Sequence, residues 1–273
     1  SYEGFAIALA WPATYCKEPG AWYDSLTPLF GAKRNNYYRA GHAAIVLVDS
    51  KNKTCHYFDF GRYHAPYQYG RVRGERTDHD LKMQSIPEIS ADGIHLINYD
   101  EILNELQLRE ACHGEGRLYA SYTRIDFNNS FEKAISMQDA GPIAYGPFTK
   151  GGSNCSRFVN TVIKAGKPIL IQRLKLNYFM PFTPTPLNNV NALKGKRIIP
   201  VKRDSLPFFP EKPLDKKQLK STLFAPEKHK NIPAGAQWLS GEGAGSWFVI
   251  NPFDEGIEVT RYSPGGVKEC SDQ

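Results

Sequence analysis

The clearest pattern along the chain is an apolar run joined by a short polar stretch to a second, aromatic-rich run. His42 to Val48 is apolar at every position after the histidine, Asp49 to Lys53 is polar, and Thr54 to Phe60 contains three aromatic residues. Short apolar runs bounded by turn residues are typical of buried strands. We therefore predict an antiparallel hairpin over Gly41–Phe60. The apolar start of the chain, Tyr2–Ala10, predicts a further strand.

Helical periodicity appears at three later places. Apolar residues spaced three and four apart predict helices at Asp100–Cys112, at Ser130–Ala140 and in the stretch that begins at Cys155. Alternating polarity predicts a strand at Leu118–Phe127. The remaining local predictions are a turn with a short helix at Pro19–Phe30, a long polar loop at Tyr63–Lys82, and a loop at Gly141–Gly152.

The helix that begins at Cys155 has clear start and stop signals. Gly151-Gly152-Ser153-Asn154 precedes it, and either Ser153 or Asn154 is a good N-cap. Gly166 followed by Pro168 is a good stop. Cys155 therefore lies in the first helical turn, where backbone N–H groups and the helix dipole favour a thiolate. A nucleophilic cysteine needs this environment, but a buried structural cysteine could also occupy the position.

Composition is that of a globular protein, with 41% hydrophobic and 23% charged residues in 273. No apolar run is long enough to cross a membrane, so we expect no integral membrane association. The net charge is +6, but the basic residues form no recognised nucleic-acid motif, and we expect no nucleic-acid partner. Prolines after position 180 predict three parts: a domain over 1–185, a proline-rich linker or wrapping arm over 186–236, and a small β appendage over 237–273.

A cysteine nucleophile requires a base, and the base requires an orienting group. Of the seven histidines, His42 is distinctive because it opens the buried strand of the hairpin. If Asp49 pairs with Thr54, Asp59 lies diagonally beside His42 on the same face. A register slipped by one residue would bring Phe58 and Phe60 there instead. The five cysteines form no C-x-x-C pair, and their odd number leaves at least one free thiol, for which Cys155 is the candidate.

These residues resemble the permuted branch of the NlpC-type, papain-like cysteine peptidases. In that branch the histidine strand precedes the cysteine helix, as His42 precedes Cys155, and the resemblance covers roughly Gly41–Gly166. It implies an α+β fold in which an antiparallel sheet packs against the cysteine-bearing helix. It also implies Cys155 as nucleophile, His42 as base and Asp59 as orienting residue, acting without a cofactor or metal.

The implied reaction is hydrolysis of an amide bond, often in bacterial cell-wall peptides. The expected partner is a peptide or acyl substrate, peptidoglycan fragments among them, in the bacterial envelope, periplasm or cytoplasm. Relatives that act on lipids leave an acyltransferase or thioesterase open, and a degenerate fold would leave a non-catalytic binding protein. The second oxyanion donor is open among Tyr57, Tyr15 and an N-terminal residue.

Candidate substrate contacts lie around the end of the hairpin and directly before the cysteine. They are Arg62, Tyr57 and Tyr63 near the hairpin, and Asn154 beside Cys155. Arginine can bind carboxylates in bidentate fashion, and tyrosine can stack on a sugar or peptide. Arg71, Arg73 and Arg76, with Tyr67 and Tyr69, could extend this surface or form an ordinary solvated loop. Asp59 could likewise cap a turn or pair with Arg62.

Overall fold

The structure is a computed structural model. It describes residues 2–17, 33–66, 68–146, 149–201, 212–213, 225, 227–240, 245–254 and 256–272. The helix predicted at Pro19–Phe30 lies outside these ranges. No helix in the described residues is long and apolar enough to cross a membrane.

The described residues contain fourteen strands and five α-helices. The strands are β1 (Gly4–Trp11), β2 (Cys16–Lys17), β3 (Lys33–Arg34), β4 (Tyr37–Tyr38), β5 (His42–Asp49), β6 (Thr54–Gly61), β7 (Tyr69–Gly74), β8 (Leu118–Ile125), β9 (Ile143–Ala144), β10 (Lys194–Ile199), β11 (Gln237–Ser240), β12 (Gly245–Phe253), β13 (Gly256–Tyr262) and β14 (Lys268–Asp272). The helices are α1 (Tyr99–Leu108), α2 (Phe127–Asp139), α3 (Cys155–Ala165), α4 (Leu170–Tyr178) and α5 (Pro186–Ala192).

The main sheet has seven strands in the order β10-β8-β1-β5-β6-β7-β9, and its neighbouring strands are antiparallel. The strands β1 and β5 are buried at every residue because both faces of the sheet are covered. One face packs on α1, through residues such as Ile102 and Leu106. The other face packs on α2, α3 and α5, with Phe158 and Val162 of α3 against Ile45 and Phe60. The expected antiparallel sheet packed on the cysteine-bearing helix is therefore present.

The predicted hairpin register is confirmed. Asp49 pairs with Thr54, and the same register carries through to Ala44 opposite Asp59. The turn is held by the Asp49 carboxylate, which accepts hydrogen bonds from the backbone N–H of Lys51 at 2.8 Å and of Asn52 at 3.1 Å. The helices predicted at 100–112 and 130–140 correspond to α1, with a 3-10 turn at Glu110–Cys112, and to α2.

Two stretches differ from their predictions. The stretch Tyr63–Lys82, predicted as a loop, contains the strand β7. Residues 71–74 of this strand pair with residues 58–61 of β6. The linker expected over 186–236 begins with α5 and β10, and β10 pairs with β8 in the main sheet. Pro186 occupies the start of α5, where a missing N–H is tolerated, behind a Thr185–Asn188 capping box. Residues 186–199 thus belong with the main sheet rather than with a linker.

The C-terminal strands form a separate antiparallel sheet in the order β11-β12-β13-β14. Its small core contains Trp247, Ile232 and Ala236, with the Trp238 ring 5.4 Å from that of Trp247. Its strands lie within residues 237–273. Trp247 is therefore a core residue of that sheet.

Candidate active site

Cys155 is the first residue of α3, as its sequence context predicted. The N-cap is Asn154, whose side-chain oxygen accepts a hydrogen bond from the backbone N–H of Arg157 at 2.9 Å. The cap engages the third helical N–H, and helix geometry leaves the N–H groups of Cys155 and Ser156 without an intrahelical acceptor. The thiol is half-buried, and none of the five cysteines is in a disulfide. The Cys155 sulfur and two backbone donors thus share the same helix end.

His42, the first residue of β5, lies between Cys155 and Asp59. Its Nε2 is 3.3 Å from Oδ2 of Asp59, which is within ion-pair distance. The Cys155 thiol is close enough to the same ring to influence its pKa. Burial lowers the pKa of His42, but Asp59 and Cys155 outweigh burial and raise that pKa from 6.5 to about 9. The imidazolium form is therefore favoured at neutral pH.

Asp59 is fully buried, and its carboxylate is held from three directions. Arg73 donates from Nε to Oδ1 at 3.0 Å and from Nη2 to Oδ2 at 2.6 Å, while the Tyr57 hydroxyl donates to Oδ2 at 2.9 Å. Burial alone would raise the pKa of Asp59, but Arg73 and His42 hold it well below the ordinary carboxyl value. Asp59 therefore remains ionised beside the His42 ring.

Aromatic rings enclose the His42 imidazole. Trp11 stacks on it with ring centroids 5.8 Å apart, and Tyr63 presents its edge at 6.5 Å. The Tyr63 ring itself stacks on His113 and lies 3.7 Å from the Arg73 guanidinium carbon. The Trp11 indole N–H is tied to Gln107 at 2.9 Å. These contacts restrict the orientation of His42.

The predicted substrate contacts mostly serve the protein itself. Tyr57 is buried and bonded to Asp59, so neither a substrate contact nor an oxyanion donor fits its position. Tyr63 is also buried, and Asn154 uses its side chain as the helix cap. Arg62 donates to the carbonyl of Lys17 at 2.5 Å and lies over the Tyr145 ring.

The arginines that could have extended a substrate surface form ion pairs within the protein. Arg73 holds Asp59, Arg71 forms a bidentate pair with Asp78 at 2.7 and 2.8 Å, and Arg76 pairs with Asp139 at the surface. Tyr67 lies outside the described residues. The role of Arg73 was missed because β7 was predicted as a loop. Its signal was the alternation Arg71–Val72–Arg73, which puts both arginines on one face of a strand.

The C-terminal sheet contacts the loop that follows β6. His64 Nε2 lies 3.2 Å from the Ser246 hydroxyl, and its ring meets the ring of Phe248 edge-on at 5.4 Å. Since the Ser246 hydroxyl donates to Glu269, His64 Nε2 is the donor in the first bond. Burial and the nearby Arg71 lower the pKa of His64 to about 4, in keeping with a neutral ring.

Comparison with known protein families shows the family to which this chain belongs. The model of the family described as type VI secretion system effector TseH-like matches residues 6–168, which is more than half of the chain. The chain belongs to the TseH-like family of type VI secretion system effectors. The matched region of this TseH-like protein includes Cys155, His42 and Asp59. A second family, described as the DUF6695 C-terminal domain, matches residues 236–273, which include the C-terminal sheet.

One solved structure similar to this TseH-like chain is the crystal structure of the type VI secretion system effector TseH. The two are 17% identical, with 74% of this chain and 95% of that chain covered and a TM-score of 0.47. A search of curated proteins found no match. Within the described ranges, no group of three His, Cys, Asp or Glu side chains is placed to hold a metal ion.

Proposed function

We propose that this TseH-like protein is a cysteine hydrolase that cleaves an amide bond in bacterial cell-wall peptides, on a permuted papain-like fold of the NlpC type. The observation that carries the proposal is the placement of His42 between the Cys155 thiol and a buried, ionised Asp59. This is the order of nucleophile, base and orienting group that covalent acyl transfer requires. Membership of a bacterial effector family supports the cell wall as the source of substrate.

In this mechanism the Cys155 thiolate attacks the carbonyl carbon of the amide, and the carbonyl oxygen takes the negative charge. The Cys155 and Ser156 N–H groups at the start of α3 are the available backbone donors for that oxyanion. The His42 imidazolium gives its proton to the amide nitrogen, the C–N bond breaks, and an amine leaves. Neutral His42 then accepts a proton from water, whose oxygen attacks the thioester; the C–S bond breaks, the acid is released, and the Cys155 thiolate and the His42 imidazolium are restored.

Asp59 has two roles in this scheme. Its charge favours the imidazolium form of His42, and its position 3.3 Å from Nε2 leaves the other ring nitrogen, Nδ1, for the thiol. Arg73 and Tyr57 donate hydrogen bonds to the Asp59 carboxylate, and these bonds stabilise its negative charge although the side chain is buried. The imidazole thus has one orientation for both proton transfers.

A labelling experiment tests the Cys155–His42 pair without any substrate. The folded protein is treated with iodoacetamide at pH 6, and the modified cysteine is identified by peptide mass spectrometry. We expect rapid modification of Cys155, because a neighbouring imidazolium favours the thiolate, and a large loss of rate in His42→Gln. Equally slow modification in both proteins would contradict the pair.

Activity is then measured on purified peptidoglycan peptides by chromatography and mass spectrometry. Hydrolysis adds one water and creates a new amine, which is expected for the wild type and not for Cys155→Ala. The matched control is Cys270→Ala, since Cys270 is also half-buried but lies in the C-terminal sheet. Turnover of acyl thioesters instead of peptides would identify a lipid-directed thioesterase or acyltransferase. Peptide binding that survives Cys155→Ala, without turnover in any form, would identify a binding protein.

A further inference from the structure

An exposed apolar surface lies on α4 and the residues that follow it. Its members are large hydrophobic side chains that are 39% to 80% exposed, and we call them the α4 surface: Leu170, Ile171, Leu174, Tyr178, Phe179 and Phe182. A contiguous apolar patch of this kind marks an interaction site more often than scattered exposed residues do. The proposed catalysis makes no use of it.

The direction of α4 explains how these residues come to be exposed. The buried residues of the helix are Gln172 and Leu176, and Gln172 is anchored by a hydrogen bond from Thr123 of β8. At about 100° per residue, Leu170, Leu174 and Tyr178 lie on the opposite side of the helix from that anchored side. The most apolar stripe of α4 therefore points away from the protein core.

Basic residues flank this stripe and precede it in the sequence. Arg173 and Lys175 are exposed and flank it on the two sides of the helix, while Lys164 and Lys167 are exposed just before the helix begins. Between Asp139 and Asp204 the sequence contains eleven Lys or Arg residues and no Asp or Glu. An apolar stripe bordered by long basic side chains is the pattern of a helix that lies in a membrane interface, where apolar groups enter the acyl region and cations meet headgroups.

We propose that the α4 surface docks this protein on the face of a membrane rich in anionic lipids. Aromatic and leucine side chains insert at the headgroup boundary, and Arg173 and Lys175 contact the lipid phosphates. Because the sequence between Asp139 and Asp204 contains no acidic residue, that stretch adds no charge repulsion against an anionic bilayer. Phe182, at one end of the surface, lies 5.6 Å from the guanidinium of Arg157, which is in the same first helical turn as Cys155. Docking would therefore hold the start of α3 close to the membrane.

The test is co-sedimentation of the full chain with vesicles, which requires no catalytic activity. We expect binding to vesicles of phosphatidylglycerol and phosphatidylethanolamine, little binding to phosphatidylcholine alone, and weaker binding as salt is added. In Arg173→Gln/Lys175→Gln the partition coefficient should fall about 30-fold, since each cation near an anionic surface contributes about 1 kcal/mol and 1.4 kcal/mol is a factor of ten.

A second variant, Leu170→Ser/Tyr178→Ser/Phe179→Ser, should lose binding while circular dichroism shows an unchanged fold, because these side chains are exposed. The matched control is Ile86→Ser/Ile97→Ser, which removes side chains that are 68% and 64% exposed in a segment outside the α4 surface. It should bind like the wild type. Equal binding to both vesicle types, binding to neither, or a solution dimer that the serine variant dissociates would each overturn the proposal.

Discussion

The raised pKa of His42 has a consequence for stability that can be measured without any substrate. A histidine that titrates at 6.5 when unfolded and at about 9 when folded stabilises the native state fully below pH 6.5. That stabilisation is lost as the pH rises through about 9. Each pKa unit corresponds to about 1.4 kcal/mol, so the loss should approach about 3 kcal/mol. The His42 side chain is almost wholly buried, so little of this energy is screened by solvent.

The perturbation is His42→Gln, and the assay is urea unfolding followed by tryptophan fluorescence at a series of pH values between 6 and 9.5. The wild type should lose free energy of unfolding over this range, and the variant should lose much less. Cys155→Ala should keep part of the decline, because Asp59 still faces the His42 ring. The slope of free energy against urea must stay constant for the comparison to hold.

Other titratable groups affect stability either outside this pH range or equally in both proteins, so they do not change the difference between the two curves. The buried thiols of Cys55 and Cys112 have a pKa of about 12, so both proteins lose stability once the unfolded thiols ionise near pH 9. Burial lowers the pKa of His64 and His113 to about 4, so their effect falls below pH 6.5. Subtracting the variant curve from the wild-type curve isolates His42. Parallel curves for the two proteins would refute the argument that Asp59 and Cys155 hold a charged imidazole.

Three further predictions concern the support of the site. Arg73→Met should lower the free energy of unfolding by about 3 to 5 kcal/mol in urea titrations, because it leaves the buried Asp59 carboxylate without its ion pair. The control Arg76→Met removes an exposed ion pair with Asp139 and should lower the free energy of unfolding by less than about 1 kcal/mol. Gly114→Ala places a Cβ 2.2 Å from the Trp11 ring that stacks on His42, so it should lower the free energy of unfolding by about 1 to 3 kcal/mol and slow the labelling of Cys155. The control Gly235→Ala has open space around its Cβ and should change neither the stability nor the labelling rate. Asn154→Ala should lower the free energy of unfolding by about 1 kcal/mol through loss of the α3 cap, and Asn154→Asp should retain it; equal losses would show that the side-chain cap is unimportant.

Local sequence signals were sufficient for the hairpin and for the start of α3. Asp49 bonds to backbone N–H groups within three residues of itself, so the turn, and with it the strand register, depends on neighbouring residues only. The proximity of His42 and Asp59 follows from that register. Asn154 caps α3 through a bond to Arg157, which is again a contact between near neighbours in sequence. Interactions of short range are encoded by short stretches, and such stretches can be interpreted without the fold.

Long-range partners could not be derived in this way. Arg73 lies in a polar, Gly-containing stretch with the composition of a loop, and it forms a strand only because β6 offers its edge. The strand β10 follows several prolines, and its place in the main sheet depends on pairing with β8, more than seventy residues earlier. Neighbouring residues in the sequence do not signal either strand, because the hydrogen bonds that stabilise each strand come from a distant partner strand.

The sequence by itself determined the order of the chemistry-bearing residues: a histidine that opens a strand, an acidic residue near the end of the next strand, and a cysteine at a helix start. Tertiary structure decided how that chemistry is held. It brought α3 to the end of the sheet where His42 reaches Cys155, and it supplied Arg73 and Tyr57 to keep Asp59 ionised in a buried setting. It also turned the apolar stripe of α4 outward, because Gln172 and Leu176 occupy the inner side of that helix. Periodicity shows that a helix has an apolar stripe, but only packing determines which side the core receives.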